Sequence, residues 1–296
     1  MKKNILMMLL SVCTLSVFAQ EYVFKVLANK GANEVKTSEG WTPIKTGASL
    51  KQSDELKIVD NAYMGLVHST GKPIELKQAG NYSIAQLASK ITTGTSVMNK
   101  YTDFILSSNS EEGKKNRMAA TGSVSRGLGI KVNLPAAQHA GVFSDNVTFG
   151  WEPRGEAGYV VNILDMEDNV LSTLETKETR VSINLNDPKY INQPALLLTV
   201  RDKSDVKSTS ERYVLKRLNT TNRERIKKAL ATELTVNAES AAALDKMMLA
   251  LFYEQNGLLI DAISAYQQAI QLAPEVEDYK KAYEEFLTLK GIKKAE

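Results

Sequence analysis

Hydrophobic and polar positions change rhythm three times along this chain. From residue 22 to residue 84, Val, Ile, Tyr and Thr are dense, turn residues recur, and no helical spacing lasts beyond one turn. That pattern predicts short strands over 22–28, 34–37, 55–58, 62–68 and 74–78, with Gly or Asn taking positive φ in the turns between them. Ile84, Leu87, Ile91, Met98, Tyr101 and Ile105 then fall on one helical stripe. Gly94 occupies the missing stripe position, so the stretch is one long helix with a weak point or two short ones. Residues 107–118 are polar and unperiodic, as a loop would be.

Strand character returns over 121–218. Val147, Phe149 and Trp151 alternate, segments 158–164 and 170–174 flank the turn formers of 165–169, and further strands are expected over 181–185, 196–201 and 212–216. Short strands at this spacing describe an immunoglobulin-like or fibronectin-like sandwich, with Trp151 as its principal core aromatic. From residue 222 helix formers dominate. Helices are expected over 222–236, from Asn237 or Ser240 to Gly257, over 259–272 and over 276–289, with Gly257 and Pro274 marking breaks. The expected fold is therefore multidomain β plus α: a small β domain (20–84), a helix and linker (85–118), a β-sandwich (119–218) and a helical segment (221–296).

The first residues add a compartment. Lys2 and Lys3 precede the apolar run 5–10, and small or β-branched residues stand at Val17 and Ala19, the pattern of a secretory signal peptide over 1–19 with cleavage after Ala19. Leu10, Ser11, Val12 and Cys13 are similar to a lipoprotein box, although Val12 is larger than the residue usual there. Cys13 is the sole cysteine, so the exported chain has no disulfide or thiol chemistry, and bacterial export to the periplasm is expected. The formal charge is +3 over 296 residues and falls toward neutral once Lys2 and Lys3 are removed, which gives nucleic acid or an anionic membrane no electrostatic hold. No later apolar run approaches the length of about 20 residues that spans a bilayer.

Reaction-centre chemistry is sparse. His68 and His139 are the only histidines, no H-E-x-x-H, G-x-S-x-G or Walker-type motif occurs, and the glycine-rich stretch 122–129 lacks the phosphate-binding Lys. No catalytic residue, metal or cofactor is assigned, and the chain is expected not to be an enzyme. Adjacent carboxylates such as Glu111 with Glu112 and Glu284 with Glu285 leave a cell-wall hydrolase with dispersed carboxylates as a third reading.

Two resemblances sharpen the picture. Gly40, Trp41, Ile44, Gly47, Leu50, Asp54, Leu56, Ala62, Leu66, Gly71, Leu76, Gly80 and Ile84 make the first strand-rich stretch similar to the FecR-type periplasmic domain, although a bacterial SH3-like barrel has a similar rhythm. That resemblance implies envelope signalling. The family's full-length regulators carry a cytoplasmic segment and a membrane span where this chain has a signal peptide. Near the other end, Leu249, Ala250, Tyr253, Ala262, Tyr266, Ala269 and Pro274 make residues 243–276 resemble one tetratricopeptide repeat, a family with a period of about 34 residues. Lys246 replaces the usual Trp, and no second copy can be aligned.

The resemblance implies that the first helix of the pair lines a peptide-holding groove, at Leu244, Met247, Leu251, Glu254 and Gln255. That groove is either open to a partner or covered by the 222–236 helix as ordinary core. The leading expectation is a non-catalytic periplasmic adaptor or scaffold for envelope proteins, peptides or cell-wall polymer, with a FecR-related signalling regulator as the alternative.

Overall fold

The computed structural model describes residues 22–91, 129–234 and 241–293. The proposed signal peptide with Cys13, the helical stripe beyond Ile91, the loop 107–118, most of the glycine-rich stretch 122–129 and the Asn237 or Ser240 helix start lie outside these residues. Mixed β and α structure is present, with mostly antiparallel sheets followed by four helices.

The first β unit holds eight strands, β1 (Phe24–Lys30), β2 (Glu34–Thr37), β3 (Gly40–Pro43), β4 (Ser49–Leu50), β5 (Glu55–Ile58), β6 (Tyr63–His68), β7 (Pro73–Leu76) and β8 (Gly80–Ser83), closed by the short helix α1 (Ile84–Ser89). They form two four-stranded antiparallel sheets, ordered β4-β1-β6-β7 and β3-β2-β5-β8. Leu56 and Ile58 of one sheet meet Phe24, Val26, Met64 and Leu66 of the other in a local core.

The sheet β4-β1-β6-β7 is buried on both faces, and the sequence of β6 shows why. Met64 and Leu66 point into the local core, whereas Tyr63 and Val67 join a second, larger core shared with the helices. In β1 a bulge between Val26 and Ala28 changes the facing of the strand, so that Ala28 also joins the larger core.

The second β unit contains β9 (Gly141–Val142), β10 (Asn146–Gly150), β11 (Tyr159–Leu164), β12 (Val170–Thr176), β13 (Arg180–Asn184), β14 (Ala195–Asp202) and β15 (Tyr213–Arg217). β10 pairs with β13, and the other five are ordered β12-β11-β14-β15-β9, with β15 and β9 parallel. Val147, Phe149 and Ile183 face Val161, Ile163, Leu198 and Val200. Trp151 is buried among them, edge-on to Tyr159 at 5.2 Å. The β11–β12 turn is held by Asp165, whose side chain accepts from the backbone N–H of Glu167 and Asn169.

Four helices follow: α2 (Thr220–Glu233), α3 (Ala243–Gln255), α4 (Leu259–Leu272) and α5 (Glu277–Leu289). Asn219 caps α2 by accepting from the Asn222 N–H, and the helix begins at Thr220, two residues before the start expected from the sequence. Gly257, at φ +72, ends the α3 segment as a left-handed residue just past a helix. Ala250 and Ala262 are fully buried where α3 and α4 pack, and Tyr266 of α4 lies 5.2 Å from Phe286 of α5. One apolar cluster runs from Leu27, Ala28, Tyr63 and Val67 of the first β unit through α3, α4 and α5 to Phe149 and Trp151 of the second. The helices thus form the layer between the two β units.

Candidate functional site

The five residues assigned to a peptide groove lie on α3, and four of them are buried. Leu244 is 0 % exposed, Met247 4 %, Leu251 2 % and Glu254 8 %, with only Gln255 at the surface. What stands against the start of α3 is the first β unit. A methyl group placed on Gly65 of β6 would lie 3.5 Å from both δ carbons of Leu244, and the Leu244 N–H donates to Glu75 Oε1 of β7 at 2.7 Å. The repeat-signature residues Leu249, Ala250, Tyr253, Ala262, Tyr266 and Ala269 are also buried, while Pro274 is exposed beyond the end of α4. Glu254 tolerates burial because it accepts from the Tyr266 hydroxyl and pairs with Lys290, both at 3.2 Å.

Two polar joints hold the β units to the helical layer. In the first, Glu75 receives three donors: the Leu244 N–H, the Tyr63 hydroxyl at 2.7 Å and Lys77 Nζ at 2.7 Å. Burial alone would raise its carboxyl, but the Lys77, Leu244 and Tyr63 hydrogen bonds outweigh that and hold it below the usual carboxylate range. Tyr63 also meets the Tyr279 hydroxyl of α5 at 2.7 Å. Asp278, beside it, accepts from the Asn29 N–H and the Thr46 hydroxyl.

In the second joint, Asp261 in the first turn of α4 is 1 % exposed and accepts the backbone N–H groups of Phe143 and Ser144 at 2.9 and 2.7 Å. Burial raises its carboxyl despite these donors and the nearby Arg223. Arg223 of α2 pairs with Asp145 at 3.0 Å and lies 5.2 Å from the Phe143 ring. Ser264 of α4 accepts the Thr148 N–H of β10 at 2.9 Å.

Beside the second joint opens a cleft of about 510 Å³. Its walls come from three places: Asn133 with Gly150 and Trp151, the β12–β13 turn (Lys177, Glu178, Thr179, Arg180), and the helices (Gln267, Tyr283, Glu284). The backbone N–H of Trp151 donates to the Thr179 carbonyl at 2.9 Å, which ties the first two walls together. Gly150 is required by the third. A methyl group there would approach the Thr179 carbonyl oxygen to 2.9 Å and Gln267 Nε2 to 3.0 Å.

The oxygen of Tyr283 accepts from Gln267 Nε2 at 3.0 Å and from Asn133. Burial keeps this phenol protonated far above neutral pH despite both donors. Among these residues the sequence flagged only Trp151, as core, and Glu284, as one of two adjacent carboxylates. The cleft unites positions more than a hundred residues apart, and no local spacing announces it.

His68 lies edge-on to Phe24 at 5.0 Å and bonds Thr70, while His139 is exposed in the second β unit. Among the described residues no group of three or more His, Cys, Asp or Glu side chains could hold a metal ion, and no helix is long and apolar enough to cross a membrane. No protein-family model matches the chain, and no curated protein matches it either, so the two family resemblances rest on its residues alone.

Proposed function

We propose that this chain is a non-catalytic adaptor of the bacterial cell envelope, exported by its amino-terminal segment, with a FecR-like β domain, an immunoglobulin-like sandwich and a helical pair of tetratricopeptide type. The helical pair acts inward, as the connector that sets two β units in fixed relation. Partners, whether envelope proteins or cell-wall polymer, meet the outer surfaces of those units. The observation that carries this reading is the seating of Leu244, the first of the five groove positions on α3, against Gly65 and Glu75 of the first β unit.

The outer sheet offers one candidate surface. Trp41 is 39 % exposed, with Lys36 and Lys57 Nζ at 5.8 and 6.0 Å from its ring. Photo-crosslinking residues placed at Trp41, Lys177 and Gln255 of the exported chain test the assignment in intact cells. Crosslinks to an envelope protein or to cell-wall polymer from Trp41 or Lys177, with none from Gln255, are expected. Crosslinking confined to Gln255 would return the binding role to the helical face, and turnover of purified cell-wall polymer by the protein would overturn the non-catalytic reading.

A further inference from the structure

The cleft between the second β unit and the helices carries an inference that goes beyond the adaptor reading and does not depend on it. Its walls present more hydrogen-bond donors than they consume. Trp151 is not one of these donors, because its indole lies with Phe149 and Tyr159 in the sandwich core, on the strand face opposite Gly150.

Tyr283 is one such donor. Its oxygen accepts from Gln267 and Asn133, it is 5 % exposed, and no acceptor takes its own proton among the described residues. At the mouth, the Lys177 ammonium makes no ion pair among the described residues, and Arg180 is engaged only through Nε, by Glu178 at 3.3 Å, which leaves its terminal nitrogens free. The other lining carboxylate, Glu284, is paired with Lys293 at 2.7 Å.

We propose that this cleft binds a small organic carboxylate of the size of an amino acid or short peptide. The carboxylate meets the free end of the Arg180 guanidinium and the Lys177 ammonium, and the Tyr283 hydroxyl serves as a further donor. A guanidinium offers the planar fork that a carboxylate matches. The volume of about 510 Å³ lies within the range of about 300–1,000 Å³ typical of small-molecule pockets and far above what a single inorganic ion fills.

Calorimetric titration of the full-length exported chain with alanyl-alanine and with its carboxyl-terminal amide tests this. Saturable binding of the free dipeptide is expected, weakened at least about tenfold both by amidation and by Arg180→Gln, the loss of one charge-assisted hydrogen bond. Tyr283→Phe should weaken it as well while leaving the Gln267 wall in place.

Arg180 is partly exposed at the mouth, and an unchanged melting temperature for Arg180→Gln will show that its loss acts on binding and not on folding. Absence of saturation below about 10 mM, equal affinity for the amide, or equal displacement by sulfate would overturn the proposal.

Discussion

Truncation of Leu244 probes the joint between the helical layer and the first β unit. Leu244 is completely buried, and its δ carbons face the α-carbon of Gly65 in the middle of β6. β6 is hydrogen-bonded to β1 on one side and β7 on the other, so it cannot slide into a space left behind. Leu244→Ala removes three carbons, worth about 2.4 kcal/mol at about 0.8 kcal/mol each. The unrelaxed cavity adds to this, for a total of about 3–5 kcal/mol.

Urea unfolding followed by far-ultraviolet circular dichroism measures the loss. A methyl group on Gly65 would point into the same space at ordinary contact distance, so Gly65→Ala in the Leu244→Ala background should restore at least about 0.5 kcal/mol. A loss below about 1 kcal/mol, with no coupling to residue 65, would mean that Leu244 faces solvent and would refute the covered-face reasoning.

Three further outcomes are expected. Asp261→Asn turns an amide N–H₂ toward one of the two backbone N–H groups now held by the carboxylate, and should cost about 1–3 kcal/mol in urea unfolding while the Phe143 region gains hydrogen exchange. Glu75 titrates below its ordinary value near 4.5, so its stabilising effect is complete above that value and disappears as the pH falls through its lower folded value. Acid unfolding curves should therefore show a limb in that window that Glu75→Gln flattens. Gly158 has φ +92, and a methyl group there would sit 2.7 Å from the backbone oxygen of Thr176 across the β11–β12 pair; Gly158→Ala should cost about 1–3 kcal/mol by thermal melt.

Legibility in the sequence followed how local each determinant is. β2 and β5 stand where alternation of Val35, Leu56 and Ile58 with charged neighbours places them, and α4 covers the periodic run from Leu259 to Leu272. β8 begins at Gly80, in a stretch that reads as a turn, because its strand character comes from pairing with β5 and not from its own residues. β3 was hidden for a similar reason: Trp41, Thr42 and Pro43 are all exposed, so no buried face marks them. The amphipathic stripe of α3 was visible, but its cover was not. Gly65 and Glu75 lie some 170 residues away, and a glycine whose role is to admit a leucine side chain gives no signal of its own. The cleft is harder still, since its donors come from the second β unit, one β-turn and two helices.

The helices share one apolar core with both β units, and the chain carries its own reporters of their coupling, with one tryptophan in each unit and no others. Urea unfolding of the Trp41→Phe and Trp151→Phe variants, each followed by its remaining tryptophan and by helical circular dichroism, measures the coupling directly. In each variant the fluorescence transition should overlay the helical one, with a single midpoint. A Trp41 transition separated from the loss of helix would show that the first β unit unfolds on its own, and would contradict the coupling.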